Sequence, residues 1–472
     1  MSDNDELLNE KPYSADTVYA RLSEIVDEIG VKSVHYKILG LIALGGLFNV
    51  VEQYNIGFAA PGITAEWGIS TARVGFLSTA TFLAMALSSL ICGRLADRFG
   101  RKRVFTADIV IYSVGALLCA LAPGYEWLLL ARIVVGVGLG GEMALGYTVV
   151  AELMPTKRRG AATGTMSLTH GGVGIFAAAG LAALILGPVA VVSGAGNLAW
   201  RMLLGVMVFP AILAIFVRRY VPESPRYLLR AGRYAELNRV LTLISRDRLR
   251  ADGAVRVVEH FDAMEGRGVV EERTSVAQLF ASAVRRRTIV SWVLATCLFG
   301  SVTVSTIFMP TVLTSLGFDP GASAGLSTLI NLGGLLGGVV GVAGAHRFPR
   351  RTVGFACVAV NIVIAGAIAW TGSAWASLAC AFFLAFSLQV LSGTFWTYLP
   401  ELYPTRIRAL GSGTAITVGL VVGSALGPLV GGYVYDGVGK AGPFGLVMML
   451  CVLFGLAVAA GPETFNRRLV EQ

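Results

Sequence analysis

Residues 93–102 of the chain read GRLADRFGRK, a short basic segment between two long apolar runs. Its last six residues, DRFGRK, recur as HRFPRR at residues 346–351, which is 249 positions later. The same offset places ELMPTK of residues 152–157 on ELYPTR of residues 401–406, and Pro61 on Pro310. Because one constant offset relates three separate places, the sequence predicts two parallel structural repeats.

The composition excludes an ordinary soluble protein. Of the 472 residues, 55% are hydrophobic and 14% are charged, whereas soluble globular proteins carry about 25% charged residues. So many apolar side chains require the hydrocarbon of a bilayer as their surroundings. Disordered, disulfide-linked, collagen-like and nucleic-acid-binding proteins are disfavoured on the same grounds.

Twelve apolar runs are long enough to cross a hydrocarbon layer of about 30 Å as helices. Long continuous runs favour helices over the alternating pattern of membrane barrel strands. We therefore predict an all-α integral membrane protein with twelve transmembrane helices in two pseudo-symmetric six-helix bundles. The predicted spans cover residues 37–63, 74–94, 104–123, 127–151, 161–187, 198–217, 288–314, 322–345, 353–371, 374–399, 409–435 and 441–461.

These spans divide the chain into five parts. A cytoplasmic N-terminal segment, residues 1–36, precedes an N-terminal bundle of residues 37–217. Residues 218–287 form a polar linker whose apolar residues recur at helical spacing, which predicts cytoplasmic amphipathic helices. The C-terminal bundle covers residues 288–461, and residues 462–472 form a cytoplasmic tail.

Basic residues collect in alternate connections between the predicted spans. They follow spans two, four, eight, ten and twelve, whereas the connections after odd-numbered spans contain mainly Arg73 and Lys440. Because the cytoplasmic flanks of membrane helices collect Lys and Arg, both termini are predicted to be cytoplasmic. Arg strongly outnumbers Lys, and Ala and Gly are abundant. This bias favours a bacterial source, and therefore the inner membrane as the location.

The segment GRLADRFGRK resembles the signature turn between spans two and three of the major facilitator superfamily. Further segments resemble its sugar-porter-like branch, which includes proton symporters for niacin and aromatic acids. They are Arg132, the glycine run of residues 136–141, ELMPTKRRG of residues 152–160, PESPR of residues 222–226 and PET of residues 462–464. The resemblance implies an alternating-access carrier of a small molecule that works as a monomer in the bilayer. It also implies a proton as coupling ion, with no cofactor, metal or nucleic acid.

Charged segments at the cytoplasmic ends of the spans are candidate gates. An acidic residue beside arginines can form charge-assisted hydrogen bonds with neighbouring helices in one conformation and release them in another. The alternative is a solvated cluster of surface ion pairs with little effect on the protein. The candidate gate residues are Asp97, Arg98, Gly100 and Arg101, then Glu152 with Arg159, and Glu401 with Arg406 and Arg408.

Ionisable side chains inside a membrane are costly, so each one in the predicted spans needs a reason. All of them away from the span ends lie in the first half of the chain, so a titratable group that couples transport to protons must lie there as well. They are Glu52, Asp108, Arg132, Glu142, His170 and Arg201.

Asn49, Glu52 and Gln53 form a polar stripe on one face of span one, which we expect to line a central cavity. In the families that the chain resembles, an acidic residue at this place takes up the proton, and an arginine that opens span four partners it. The resemblance therefore implies that Glu52 and Arg132 couple transport to protons, with a permanent structural salt bridge as the alternative. Glu142 lies near mid-membrane in span four and is a second proton carrier, a substrate contact or a packing residue.

Polar and aromatic residues of several spans are candidates for binding the substrate. His170 is the only histidine within the predicted spans, and a histidine can hydrogen-bond a carboxylate. Where the sugar porters carry two glutamines in span seven, this chain has Ser and Thr, which argues against a hexose. For each candidate, a hydrogen bond between helices is the alternative role. The other candidates are Asn49, Gln53, Ser167, Ser301, Gln389 and Trp396.

These observations favour proton-coupled uptake of a small organic acid, aromatic or other monocarboxylic, by alternating access. A proton symporter for a sugar or polyol, and an efflux antiporter for drugs or metabolites, are the alternatives. An enzyme is disfavoured, because the sequence shows no nucleophile triad, metal-ligand set or phosphate-binding loop in a suitable setting.

Overall fold

The structure is a computed structural model that describes residues 15–194, 196–250, 256–261, 275–344, 347–404 and 407–464. Within these residues it contains twelve helices that are long and apolar enough to cross a membrane, as predicted. In chain order, spans one to twelve are Ser33–Trp67, Thr71–Phe99, Arg101–Ala120, Tyr125–Leu153, Thr156–Ser193, Ala199–Tyr220, Val284–Ser315, Pro320–Gly344, Arg350–Trp370, Ala374–Glu401, Leu410–Val438 and Ala441–Ala460.

Many spans begin or end several residues beyond the predicted limits. Span one starts at Ser33 rather than at residue 37, and span five covers Thr156–Ser193 rather than residues 161–187. The prediction counted only apolar residues, whereas a helix continues into its polar ends until its last backbone groups find partners. At the start of span two, for example, the Ser70 hydroxyl oxygen accepts a hydrogen bond from the Arg73 N–H at 3.4 Å.

Spans five and eleven each contain a π-helical segment at an equivalent place. The segment is Thr169–Val173 in span five and Gly419–Ala425 in span eleven, and the 249-residue offset makes the two overlap. A second π segment of span five, Ile185–Val189, contains Pro188, whose nitrogen has no hydrogen to donate. Such segments occur frequently at functional sites of helical proteins.

Glycines bring the helices close together within each half of the molecule. A Cβ added to Gly136, Gly138 or Gly140 of span four would lie 2.3 Å from a backbone atom of span two or span three. A Cβ added to Gly337 of span eight would lie 2.1 Å from the Phe386 carbonyl oxygen of span ten. Membrane helices commonly associate through such small residues, because lipid supplies no hydrophobic force between them. The glycine run of span four is therefore a packing surface.

Hydrogen bonds connect the two halves at one end of the spans. We call the end that carries the basic turns after spans two, four and eight the basic end, and the opposite end the distal end. At the distal end, the Asp436 carboxylate of span eleven accepts hydrogen bonds from the backbone N–H groups of Thr71 (3.2 Å) and Ala72 (3.0 Å) in span two. Deeper in the membrane, Thr79 Oγ1 donates a hydrogen bond to the Ala425 carbonyl oxygen at 2.6 Å. These contacts tie span two to span eleven.

A layer of short helices covers the basic end of the first half. It consists of the N-terminal helix Ala15–Ile29 and the linker helices Pro225–Arg230 and Tyr234–Ser245. Their apolar faces pack together through Val18 and Leu237, among others, which agrees with the amphipathic pattern of the linker. Residues 251–255 and 262–274 of the linker, like most of the predicted tail, lie outside the described residues.

Two carboxylates of this layer cap the starts of spans. Asp27 Oδ1 accepts a hydrogen bond from the Thr156 N–H, at the start of span five, at 2.6 Å. Asp247 accepts hydrogen bonds from Ser33 Oγ (2.6 Å) and from the Val34 N–H (2.7 Å), at the start of span one. Hydrogen bonds to an ionised carboxylate favour that form, so they lower the pKa of Asp27 and the pKa of Asp247 below their ordinary values.

Candidate functional site

A cavity lies between the two halves at the middle of the spans. Its volume is about 690 Å³ including its opening, and spans one, two, four, five, seven, ten and eleven contribute to its walls. Five of the seven predicted substrate-binding residues line it, namely Gln53, Ser167, His170, Gln389 and Trp396. The structure thus brings together residues that are up to 343 positions apart in the sequence, between Gln53 and Trp396.

Asn49 and Ser301 do not line this cavity, contrary to the prediction. Asn49 is fully buried behind Gln53 and accepts a hydrogen bond from Gln53 Nε2 at 2.5 Å. Ser301 is 2% exposed and lies beside the Cys451 thiol of span twelve. Span seven is rotated so that Thr303, rather than Ser301, faces the cavity, and one sequence does not reveal that rotation.

Glu52 and Arg132 form a fully buried ion pair. Arg132 Nη1 lies 2.6 Å from Glu52 Oε1, and neither side chain is exposed. Arg132 Nε also donates a hydrogen bond to Thr81 Oγ1 of span two at 3.1 Å. Neither residue is in the wall of the cavity. In this conformation Arg132 therefore pairs with Glu52 and is not placed to contact a substrate.

Glu142 is the end of a hydrogen-bond chain that starts at the cavity wall. Gln53 donates to Asn49, and Asn49 Nδ2 donates to Glu142 Oε2 at 3.0 Å and to the Leu139 carbonyl oxygen at 3.1 Å. Glu142 is 1% exposed, and its Oε1 has no hydrogen-bond partner within the described part of the chain. A Cβ added to Gly45 would lie 2.6 Å from this atom, so Gly45 makes the space that the carboxyl occupies.

Asp108 of span three is a second buried carboxyl beside Glu142, and the sequence predicts no role for it. It is 3% exposed, and its Oδ1 accepts a weak hydrogen bond from Cys92 Sγ at 3.6 Å. Its Oδ2 packs against Gly141, where an added Cβ would lie 2.2 Å away. Among the described residues, no Lys or Arg forms an ion pair with Asp108 or Glu142. The signal in the sequence was an intramembrane Asp in a span without a basic partner.

His170 lies in the π-helical segment of span five and presents its ring to the cavity. Its Nδ1 lies 2.9 Å from the Met166 carbonyl oxygen, which can only accept, so Nδ1 carries a hydrogen. Nε2 is buried and has no hydrogen-bond partner in the described residues. The ring lies 5.4 Å from the Tyr147 ring, and a Cβ added to Gly46 would lie 2.2 Å from its Cε1. Gly46 is therefore needed for this position of the imidazole.

Aromatic rings and amides complete the cavity. Trp396 lies 6.0 Å from Phe299 between ring centroids, and both line the cavity. The Gln389 side chain lies close to span five, because a Cβ added to Gly171 would be 3.4 Å from its Oε1. The cavity can therefore enclose a small planar molecule between apolar rings and neutral hydrogen-bonding groups.

The candidate gate residues of the first half form an ion-pair network, in which Glu152 has a different partner from the predicted one. The Glu152 carboxylate pairs with Arg101 Nη1 at 3.0 Å, where Arg159 was expected, and Ser224 Oγ donates a hydrogen bond to the same carboxylate. Arg159 Nη2 instead donates to the Met154 carbonyl oxygen at 3.4 Å. Arg159 therefore bonds to the turn between spans four and five and not to Glu152, which sequence spacing alone does not show.

The second half has the same network at the equivalent residues. The Glu401 carboxylate pairs with Arg350 Nη2 at 3.0 Å and accepts a hydrogen bond from Thr464 Oγ1 at 2.5 Å. Arg350 is 249 positions after Arg101, so the repeat itself identifies the partner that was missed. The predicted partner Arg408 directs its Nε to the Tyr403 carbonyl oxygen at 3.5 Å. Arg406 lies outside the described residues.

The remaining gate residues connect span two to the linker. Asp97 pairs with Arg230 at 2.6 Å, and the Arg98 carbonyl oxygen accepts a hydrogen bond from Tyr227 Oη at 3.3 Å. Gly100 has a φ of +100°, and a Cβ there would lie 2.3 Å from Glu223 Oε2, so glycine is required at this turn. Asp97 therefore pairs with the linker, and Gly100 leaves room for the Glu223 carboxylate.

Two related sets of six membrane-crossing helices with a polar cavity between them define a multi-pass membrane carrier. The chain belongs to the family described as sugar (and other) transporter, whose model matches residues 19–472. Its fold is that of the major facilitator superfamily. The protein is thus a membrane transporter of small molecules and not an enzyme.

Named relatives agree with this assignment. The chain is 28% identical over 453 residues to the niacin transporter NiaP of Acinetobacter baylyi, covering 94% of this chain and 98% of that protein. It is 28% identical to the inner membrane metabolite transport protein YgcS of Escherichia coli, covering 86% of this chain and 87% of that protein. The crystal structure of a D-xylose-proton symporter matches its fold with a TM-score of 0.72 at 17% identity, covering 92% of this chain and 99% of that one.

Proposed function

We propose that the protein takes up a small organic acid together with protons across a bacterial inner membrane. The basic end faces the cytoplasm, because cytoplasmic flanks collect Lys and Arg, so both chain termini are cytoplasmic. Because hydrogen bonds connect the halves at the distal end, we assign the conformation described here as inward-facing. The similarity to an inner membrane transporter and to a niacin transporter supports this proposal, since niacin is itself an aromatic carboxylic acid.

The position of His170 is the observation that carries the choice of substrate. It is the only imidazole in the wall of the cavity, and its Nε2 has no partner within the described residues. When protonated, Nε2 can donate a charge-assisted hydrogen bond to a carboxylate. The rings of Trp396 and Phe299 provide apolar faces for a planar substrate, and Gln53 and Gln389 provide amide donors.

Glu52 is the proton-carrying residue of the proposed cycle. In the conformation described here Glu52 is paired with Arg132. In the outward-facing conformation the pair opens, and the buried carboxyl without a counter-charge takes up a proton from outside. Substrate and proton are then carried together, and the pair with Arg132 re-forms when the proton leaves to the cytoplasm.

Glu142 and Asp108 provide a second place for a proton. Two buried carboxyls that lie close together without a cation cannot both be ionised at low cost, so one of them holds a proton. The hydrogen bonds from Gln53 to Asn49 and from Asn49 to Glu142 connect Glu142 to the cavity. A change of charge on Glu142 therefore acts on a side chain that contacts the substrate.

The gates at the basic end control access from the cytoplasm. The Arg101–Glu152 pair and the Arg350–Glu401 pair each tie neighbouring spans to the segment that follows the last span of their half. Rearrangement of these pairs accompanies the rocking of the two halves around the cavity. The linker, paired with Asp97 through Arg230, moves with the first half.

Ligand-induced thermal stabilisation of the purified protein tests the substrate class, because a ligand that prefers the folded state raises the melting temperature. We expect nicotinate or benzoate to stabilise the wild type, and D-xylose to have no effect. In His170→Gln the affinity for the acid falls roughly tenfold, through loss of a charge-assisted hydrogen bond. Ser392→Ala, which removes a neutral group from the same cavity, is the matched control. Stabilisation by sugars alone would instead assign a sugar symporter.

A further inference from the structure

A wide groove lies on the outer surface of the first half, away from the transport cavity. It is bounded by span three, the end of span six and the linker helix Tyr234–Ser245, and its volume is about 2030 Å³ including its opening. Seven basic residues face it, four from the span ends and three from the linker. They are Lys102, Arg103, Arg218 and Arg219, together with Arg233, Arg239 and Arg250.

The positive charge of this groove is not balanced by its own carboxylates. Glu236 pairs with Arg233 of the same helix, with a distance of 3.0 Å from Arg233 Nε. Glu223 accepts hydrogen bonds from the backbone N–H groups of Lys102 and Ser224, each at 3.1 Å. In the part of the chain that the structure describes, the side chains of Arg103 and Arg239 form no ion pair with a carboxylate. The groove therefore has free capacity for an anion.

Spans three and six each have an exposed apolar face that ends at an arginine of the groove. On span three, Arg103, Val110, Val114 and Leu117 lie on one helical face, and the three apolar residues are 43%, 49% and 45% exposed. The exposed apolar face extends to Arg103 at the basic end of span three. Apolar side chains and a guanidinium group therefore lie on one face of the helix.

Span six, which packs beside span three, repeats this arrangement. Ile212 and Ile215 are 53% and 66% exposed, and Arg219 follows them on the same face at helical spacing. The neighbouring helices thus present two apolar faces to the bilayer, each ending in an arginine. Arg239, on the linker helix that bounds the groove, faces the same groove.

We propose that this groove binds an anionic phospholipid of the leaflet at the basic end. The phosphate of the headgroup lies among Arg103, Arg219 and Arg239, because guanidinium groups bind phosphate oxygens in a bidentate manner. The acyl chains lie along Val110 and Ile215. A soluble phosphate compound would use the cations but leave these apolar faces without a partner, so a lipid fits the whole surface. Basic pockets at the cytoplasmic side of membrane helices have this chemistry.

Native mass spectrometry of the full-length protein in a neutral detergent tests this site. The probes are phosphatidylglycerol and phosphatidylcholine with identical acyl chains, and inorganic phosphate as a competitor. We expect phosphatidylglycerol to bind roughly tenfold more tightly than phosphatidylcholine, given the contribution of each basic residue near an anionic headgroup. The variant Arg103→Gln/Arg239→Gln loses this preference.

The matched control is Arg158→Gln/Arg347→Gln, which removes two exposed basic residues from other turns of the basic end. It keeps the preference, and the melting temperatures of both double variants show whether each is folded. Equal binding of the two lipids, or an unchanged preference in Arg103→Gln/Arg239→Gln, would overturn the proposal. Displacement of phosphatidylglycerol by inorganic phosphate would also overturn it, in favour of a site for soluble anions.

Discussion

The two halves of the molecule share their gates but not their intramembrane charges. The 249-residue offset places Arg101 on Arg350 and Glu152 on Glu401. The ion pair Arg101–Glu152 and its equivalent, Arg350–Glu401, each have an N–O distance of 3.0 Å. The same offset places the buried charges of the first half on neutral residues. It matches Glu52 with Ser301, Arg132 with Ala381, Asp108 with Cys357, Glu142 with Leu391 and His170 with Gly419.

This difference separates two tasks. In the proposed cycle the gate acts on both halves, because alternating access moves each half relative to the other, so we expect the repeat to retain its residues. Proton binding needs only one set of titratable groups, and each buried charge is costly in a membrane. The first half therefore carries the proposed proton chemistry, whereas the second half contributes neutral groups such as Gln389 and Trp396 to the cavity.

The largest effect is expected from Arg132→Met, which leaves Glu52 buried without its counter-charge. Loss of one partner from a buried pair costs on the order of 3–5 kcal/mol, so the melting temperature falls and transport is lost. The double variant Glu52→Gln/Arg132→Met regains thermal stability, because no unpaired charge is left, but does not accumulate substrate. Melting curves and liposome uptake check both statements. Stability of the single variant equal to wild type would show that the pair has no energetic role.

A comparison of Glu152→Gln with Glu401→Gln tests the equivalence of the gates. We expect both variants to slow initial uptake by a similar factor, roughly tenfold, because each loses one charge-assisted network of the same geometry. Substrate affinity stays unchanged, since neither residue lines the cavity. Glu126→Gln, at an exposed carboxylate of the distal end, is the control. An effect in only one half would break the symmetry of the proposed mechanism.

Smaller effects are expected from Glu142→Gln and Asp108→Asn. Each removes one of two neighbouring carboxyls, so the other is no longer forced to share the site with a second charge. Maximal uptake falls a few-fold at most, but its dependence on pH becomes shallower. Rates measured across a pH series show this change. Cys357→Ala, at the place in the second half that matches Asp108, is expected to leave the pH profile unaltered; a profile altered to the same extent in both would contradict the prediction.

The smallest effect is expected from Asp27→Asn, in the helical layer that covers the first half. The lowered pKa of Asp27 means that its ionised form stabilises the folded state. This stabilisation is present above the ordinary carboxyl pKa near 4 and is lost as the pH falls through the lowered pKa of the folded protein. The variant therefore melts slightly below wild type at neutral pH, and the difference vanishes in acid. Glu24→Gln, an exposed neighbour, is the control; a difference that persists in acid would contradict this account.

The sequence was sufficient for the architecture and for part of the site. Long apolar runs, the alternation of basic turns and one constant offset are strong signals, so the twelve spans and the fold were predicted. The pairing of Glu52 with Arg132 came from a family resemblance, and the two residues do lie in contact. Their role in proton coupling stays a prediction.

Other features depend on geometry that one sequence does not contain. The rotation of span seven decides whether Ser301 or Thr303 faces the cavity, and helical spacing does not fix that rotation. The partner of Glu152 depends on the approach of Arg101, at the start of span three, to the end of span four. Asp108 becomes a candidate proton site only because span three packs against Gly141, the residue before Glu142. Each of these depends on how one helix packs against another.

Proton movement through Glu52 is the central claim, and it can be measured directly. Liposomes that contain the protein and a pH-sensitive dye are given an acid substrate such as nicotinate outside, without a pre-set proton gradient. The account predicts that the lumen of wild-type and Ser301→Ala liposomes becomes acidic as substrate enters. Glu52→Gln liposomes exchange labelled substrate without acidification. Acidification by Glu52→Gln at the wild-type rate would contradict the assignment of the proton to this residue.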